Sequence, residues 1–184
     1  MRKALGVLFA CSLLVPAGIW AAAPGGTAVN TTVPTCKSFS GTETFSPGLP
    51  KLGSTTLVKP VQNLTASFTG CSGGGITKGT DNGSTKATTA TNCTQLSKNA
   101  GKPAAPTTST TKWSNGQTST ASAVLTTNKV TATSITATIV AKSTAGLGKG
   151  HTTTISVTAT PNKGFCVSSA FTSLTFKSTK ITYK

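Results

Sequence analysis

The feature that most constrains this chain is a two-residue alternation of threonine or serine with apolar residues, repeated along much of its length. Between Lys129 and Lys142, Ile135, Ala137, Ile139 and Ala141 share one parity while Ser134, Thr136 and Thr138 share the other. Thr152–Thr160 repeats the arrangement with Ile155, Val157 and Ala159, and Gln62–Thr69 repeats it with Leu64, Ala66 and Phe68. Successive side chains of a strand point to opposite faces, so this period describes antiparallel strands with one buried and one solvated face. No segment carries a sustained helical stripe. Threonine supplies about a fifth of the residues. Its β-branched side chain favours strands, so a composition that could mark a solvated stalk reads here as a fold.

Further strands are expected over Lys37–Phe45, Thr55–Lys59, Thr85–Thr91, Thr108–Trp113, Thr118–Thr126 and Ser173–Tyr183. Glycine-, proline- and asparagine-bearing turns separate them, among them Ser46-Pro47-Gly48, Asp81-Asn82-Gly83 and Gly146-Leu147-Gly148-Lys149-Gly150. Trp113-Ser114-Asn115-Gly116-Gln117 is the strongest hairpin signal, because Asn-Gly tolerates the positive φ angles of a type I′ turn. Gly101–Thr111, with Pro103 and Pro106, reads as a loop or weak edge. Short strands at this spacing predict an all-β domain, an antiparallel sandwich or a flattened barrel. Its core would comprise Phe39, Phe45, Leu64, Phe68, Trp113, Leu125, Ile135, Ile139, Ile155, Val157, Leu174 and Phe176.

At the start of the chain, Arg2 and Lys3 precede an apolar run from Ala4 to Trp20 that is too short to cross a bilayer comfortably and is broken by Pro16 and Gly18. We read residues 1–28 as a secretory signal peptide cleaved after Ala28, with Ala23 as the alternative, and Cys11 leaves with it. Residues 29–184 then form one domain, exported and with no transmembrane helix. Four cysteines remain, Cys36, Cys71, Cys93 and Cys166, and an oxidising compartment turns an even number into two disulfides. Three pairings are open. The Gly-, Thr- and Asn-rich stretch between Cys71 and Cys93 favours joining those two, leaving Cys36 for Cys166; the chain-entropy gain would be about 3 kcal/mol for the short loop and about 5 for the long one. No two cysteines have zinc-ligand spacing.

The succession Cys36, Thr44-Phe45-Ser46-Pro47, Gly70-Cys71-Ser72-Gly73-Gly74, Cys93, Trp113-Ser114-Asn115-Gly116, Thr158-Ala159-Thr160-Pro161 and Cys166 resembles a group of uncharacterised exported Thr/Gly-rich β proteins of actinobacteria. The resemblance spans nearly the whole mature chain and implies secretion and the β class. It carries no activity to transfer, and the lysine richness of this chain is a departure from it.

Charge is the feature that speaks to partners. Of seventeen basic residues, all but Arg2 and Lys3 lie beyond the leader, opposed by only Glu43 and Asp81, which leaves the mature chain near +13. Such a charge attracts polyanions. With no arginine left, no dense basic cluster and few aromatics, sequence-specific nucleic-acid binding is not expected. Diffuse association with anionic cell-wall polymers or a membrane surface fits an exported chain better, against the plainer reading that lysines only solvate outer faces and protect edges.

Catalytic equipment is sparse. His151 could join Asp81 and a serine in a triad, but no nucleophile elbow accompanies it. Glu43 and Asp81 could form a glycosidase pair, yet Glu43 falls in an expected strand and Asp81 in an Asp-Asn-Gly turn, where they read as a surface residue and a turn former. Gly146–Gly150 lacks the ending of a phosphate loop, and two carboxylates cannot build the usual calcium cage. The expectation is a secreted, non-enzymatic structural or adhesive protein without catalytic residues, metal or cofactor. The alternatives are a secreted effector or inhibitor of another protein, and a pilus-like subunit assembling by strand addition. Asn30, Asn63, Asn82 and Asn92 stand in glycosylation sequons.

Overall fold

The computed structural model describes residues 33–131, 133–162, 166–167 and 169–184; the expected signal peptide, residues 1–28, lies outside them. Eight strands, β1 (Ser38–Leu49), β2 (Val61–Thr69), β3 (Lys78–Lys86), β4 (Thr107–Trp113), β5 (Thr118–Val130), β6 (Ile135–Gly146), β7 (Thr152–Pro161) and β8 (Phe171–Tyr183), pair in chain order, and β8 returns to β1 to close a barrel. Every pairing is antiparallel, so the topology is an up-and-down meander without free sheet edges at its first and last strands. Of the two expected architectures, the barrel is the one formed.

The alternation read from the sequence is what lines this barrel. Ile135, Ala137, Ile155, Val157, Ala159 and Ala66 are buried, with Leu64, Phe68 and Ile139 packed against them. Threonines and serines of opposite parity face out. A lipid-embedded barrel shows the reverse, apolar outside and polar within. Register shifts within β1–β8, β5–β6 and β7–β8 mark bulges that bend the long strands into a closed wall.

Each end of the barrel is plugged differently. At the end where β1 begins, Phe39, Phe68, Phe176 and Trp113 form a chain of tilted ring contacts with centroids 4.5–5.7 Å apart. The indole Nε1–H of Trp113 donates to Ser119 Oγ at 2.7 Å, and that hydroxyl donates to the Leu147 carbonyl at 2.7 Å. Gly79 lies under this indole; a Cβ there would stand 2.6 Å from its ring carbons. At the opposite end Phe45 meets Phe171 at 4.9 Å, and a short helix, α1 (Cys93–Lys98), presses Cys93 and Leu96 into the core. Asn92 starts α1 by accepting from the Gln95 amide at 2.9 Å, while its side-chain amide donates to the Ser54 and Thr56 carbonyls. That residue is buried and fully engaged, so its sequon is unreachable in the fold.

Several expectations are corrected. The disulfides join Cys36 to Cys71 and Cys93 to Cys166, not Cys71 to Cys93 and Cys36 to Cys166. The reason is the up-and-down order: Cys36 precedes β1 and Cys71 follows β2, which puts both at one end, whereas Cys93 and Cys166 belong to connections at the other. Each end therefore has its own staple. Asp81 is not in a turn but in the middle of β3, paired with Ala66 on one side and Thr111 on the other. Glu43 is not a surface residue; it is 2 % exposed. Strand Thr85–Thr91 is displaced to Lys78–Lys86, and Thr55–Lys59 contributes only the bridge of Val58 to Thr91. Lys129–Lys142 is broken between β5 and β6 by a turn in which the Thr131 amide bonds the Ser134 carbonyl. The Trp113–Gln117 hairpin forms, but only Gly116 has positive φ (83°), giving a tight turn followed by a left-handed glycine in place of type I′.

Candidate functional site

A barrel of eight strands is just wide enough for side chains to fill, or, if they are small, to hold one small ligand. Here several inward positions are small, Ala123 on β5, Ala137 on β6 and Ala159 on β7, and they line the space, whereas Gly41 on β1 makes room for the Phe176 ring. Large aromatic side chains gather towards the two ends instead. The result is a lumen of two adjoining chambers, each about 90 Å³, that share Phe39, Asp81, Ser109, Ala123 and Ile139 in their walls. An apolar void of this size disfavours folding by about 2 kcal/mol at about 24 cal/mol per Å³.

Glu43 and Asp81, the two acidic residues of the sequence, both line this lumen. Glu43 lies in the row that runs through Leu64 of β2, and Asp81 in the next row, opposite Ala66. Burial pushes the Glu43 carboxyl well above its ordinary value. Burial also raises Asp81 from 3.8 to about 6, opposed by a hydrogen bond from Ser109. The Oδ1 atom of Asp81 is buried with no hydrogen-bond partner among the described residues. The fourteen described lysines are all exposed. Charge is thus sorted by sign, positive outside and acidic inside.

The second chamber runs towards the Trp113 end, where Ser119, Ser143, His151 and Tyr183 join its wall. His151 is exposed at the rim, and Asp81 pairs with Ser109 and not with it. The Tyr183 hydroxyl accepts from the Cys36 amide at 2.6 Å and donates to the Cys36 carbonyl at 3.1 Å, fastening β8 to the segment that leads into β1. Burial raises this phenol's pKa while the Cys36 bond opposes the rise.

The wall is thinnest between β3 and β4. Only Gly79, Thr80 and Asp81 pair with Trp113, Lys112 and Thr111. Beyond Asp81, β3 continues on β2 alone and β4 on β5 alone. Ser109 and Thr107, both lumen-lining, border this unzipped seam.

Sequence reasoning considered Glu43 and Asp81 together but placed neither inside. A signal for Glu43 was present: it shares parity with Phe39 and Phe45 in one strand. For Asp81 there was none, because Lys78–Lys86 contains no apolar residue except glycine to reveal which face is buried. Among the described residues no three His, Cys, Asp or Glu side chains gather as a metal site would require.

These features define a class by geometry: an up-and-down barrel with a partly empty, acid-bearing lumen and a lysine-coated exterior. Comparison of the chain with protein-family models, curated proteins and solved structures finds no match.

Proposed function

We propose that this chain is an exported, non-catalytic binding barrel whose lumen holds one small molecule, admitted at the β3–β4 seam. The observation that carries the reading is the lumen itself: small residues lining it keep it partly empty, and the two acidic residues of the sequence are buried in its wall. Natural cores avoid such voids and unpaired polar atoms, because each lowers stability, and a bound molecule relieves both. Two disulfides, one per end, and the secretory leader support an extracellular setting. A glycosidase role for Glu43 and Asp81 has less support, since a sugar ring would leave its hydroxyls facing Leu125, Ile139 and Val157.

The test is to fill the lumen. Ala137→Leu, or Ala123→Leu should the first variant misfold, projects three further carbons into the first chamber. The variant is expected to recover up to about 2 kcal/mol of stability and to lose the small molecules that native mass spectrometry or thermal-shift screening finds on the parent. Ligand uptake unchanged in a folded variant would refute the lumenal site.

A second reading concerns the outside. Fourteen exposed lysines with no described carboxylate among them favour association with anionic envelope polymers or membrane surfaces. Retention on cell-wall material that disappears at moderate salt supports it; retention that resists salt argues for a specific protein partner, as an effector or inhibitor would have. Strand addition has the least support, because β1 is paired along both edges.

A further inference from the structure

We propose that the lumen selects a small organic cation: an amine on a compact hydrocarbon body, its ammonium against the free oxygen of Asp81 and its body against the aliphatic wall. The proposal rests on the lumenal reading above and names the chemistry of its ligand.

The polar need inside the barrel is one-sided. Asp81, 6 % exposed, lines both chambers, and its Oδ1 is a buried acceptor with no hydrogen-bond partner among the described residues. Ser109 supplies a single hydroxyl proton to that carboxyl group, and Glu43 brings a second acid to the same chamber. A hydrocarbon would leave the acceptor unpaired, and an anion would add like charge. An ammonium carries three donors and no acceptor, and so matches what the wall lacks. Among the described residues no cation fills that role: Lys78 and Lys86, on Asp81's own strand, and Lys112, on β4 beside it, are all exposed.

Shape sets the rest. Across from the acids, Leu125, Ile139 and Val157 form an apolar wall, and Phe39, common to both chambers, brings an aromatic ring to the same space, a group to which a cation is attracted. A cavity of roughly 150 Å³ holds one benzene-sized ring, so the joined chambers suit one ring or a short branched chain with an amine arm. The titratable groups facing this space are Glu43, Asp81, and, at the far rim, His151 and Tyr183. Ionised Asp81 is the form that receives the cation. Because its carboxyl titrates at about 6, affinity rises as pH climbs through that value and levels off above it.

The experiment compares benzylamine, benzyl alcohol and benzoate, three probes of nearly equal size, on the purified mature chain. Binding is followed by Trp113 fluorescence, the second chamber's own reporter, and by calorimetry. At pH 8 benzylamine should bind at least tenfold more tightly than benzyl alcohol, with benzoate silent. At pH 5 the benzylamine affinity should fall about tenfold, as expected when protonation leaves about a tenth of a carboxyl titrating near 6 ionised, while benzyl alcohol is unmoved. Asp81→Asn should bring the two probes within twofold of each other, and Ala137→Leu should weaken both. Equal affinities for amine and alcohol, or a preference that survives Asp81→Asn, would overturn the cation assignment and leave the lumenal site standing. Failure of all three probes to bind at millimolar concentration would overturn both. The parent's pH profile needs no variant, so the assignment stays testable even if Asp81→Asn folds poorly.

Discussion

Asp81→Asn provides a quantitative test of the buried acids in the absence of ligand. The folded protein holds a proton on Asp81 up to about pH 6, whereas the unfolded chain releases it at the ordinary 3.8. Between those values the native state binds more protons than the unfolded state, so stability falls as pH rises and then stays at the lower level. The shift corresponds to about 3 kcal/mol. Glu43 acts in the same direction, since its carboxyl is raised by burial too. The asparagine keeps the shape, lets Ser109 donate to its amide oxygen and never ionises. It should therefore gain about 2–3 kcal/mol over the parent at pH 8, or about 5–10 °C in melting temperature for a chain of this size, and gain little at pH 3. Urea unfolding between pH 3 and 8, with disulfides intact, measures the difference. A parent more stable at pH 8 than at pH 4, or a variant with the parent's pH dependence, would show that Asp81 is not held in a low-dielectric lumen.

Three further outcomes are expected. Replacing Cys93 and Cys166 by serine, which opens a loop of 73 residues, should lower stability by about 4 kcal/mol, and losing Cys36–Cys71 should lower it by slightly less; peptide mapping of the oxidised protein should find those two pairs and no others. Gly41→Ala would set a Cβ 2.2 Å from the Thr65 carbonyl oxygen and 2.8 Å from the Phe176 ring. Since backbone cannot yield as a side chain can, a loss above the usual 1–3 kcal/mol of overpacking is expected in urea unfolding. Tyr183→Phe removes one donor and one acceptor for Cys36 and should cost about 1–3 kcal/mol, visible also as faster hydrogen exchange at the Cys36 amide.

Wherever apolar residues alternate, the sequence was a good guide. Ile135, Ala137, Ile155 and Val157 line the barrel as their parity requires, and Leu125, Leu174, Phe39 and Phe45 join the core. The choice between sandwich and barrel was not legible, because both are built from the same strands and differ only in whether β8 reaches β1. β3 was hidden for a different reason. Asp81-Asn82-Gly83 has strong local turn chemistry, but nine register pairs with β2 override it. The six residues of α1 are too few to display a helical period. Disulfide pairing depends on which connections share an end, and that follows only from the order of strands. The same dependence hid the lumen: Ala123, Ala137 and Ala159 read singly as weak core positions, and only closure of the sheet turns their smallness into space.

Because every ladder but one joins neighbours in the sequence, the barrel can assemble progressively from its amino-terminal side. The exception is the return of β8 to β1, with Tyr183 gripping Cys36 across 147 positions. A chain made from its first residue onward is therefore a curled ribbon with two raw margins until its last thirteen-residue strand arrives. Truncation there would leave the earlier hairpins able to form but their outer margins exposed, and such fragments should clump where the whole chain stays dispersed.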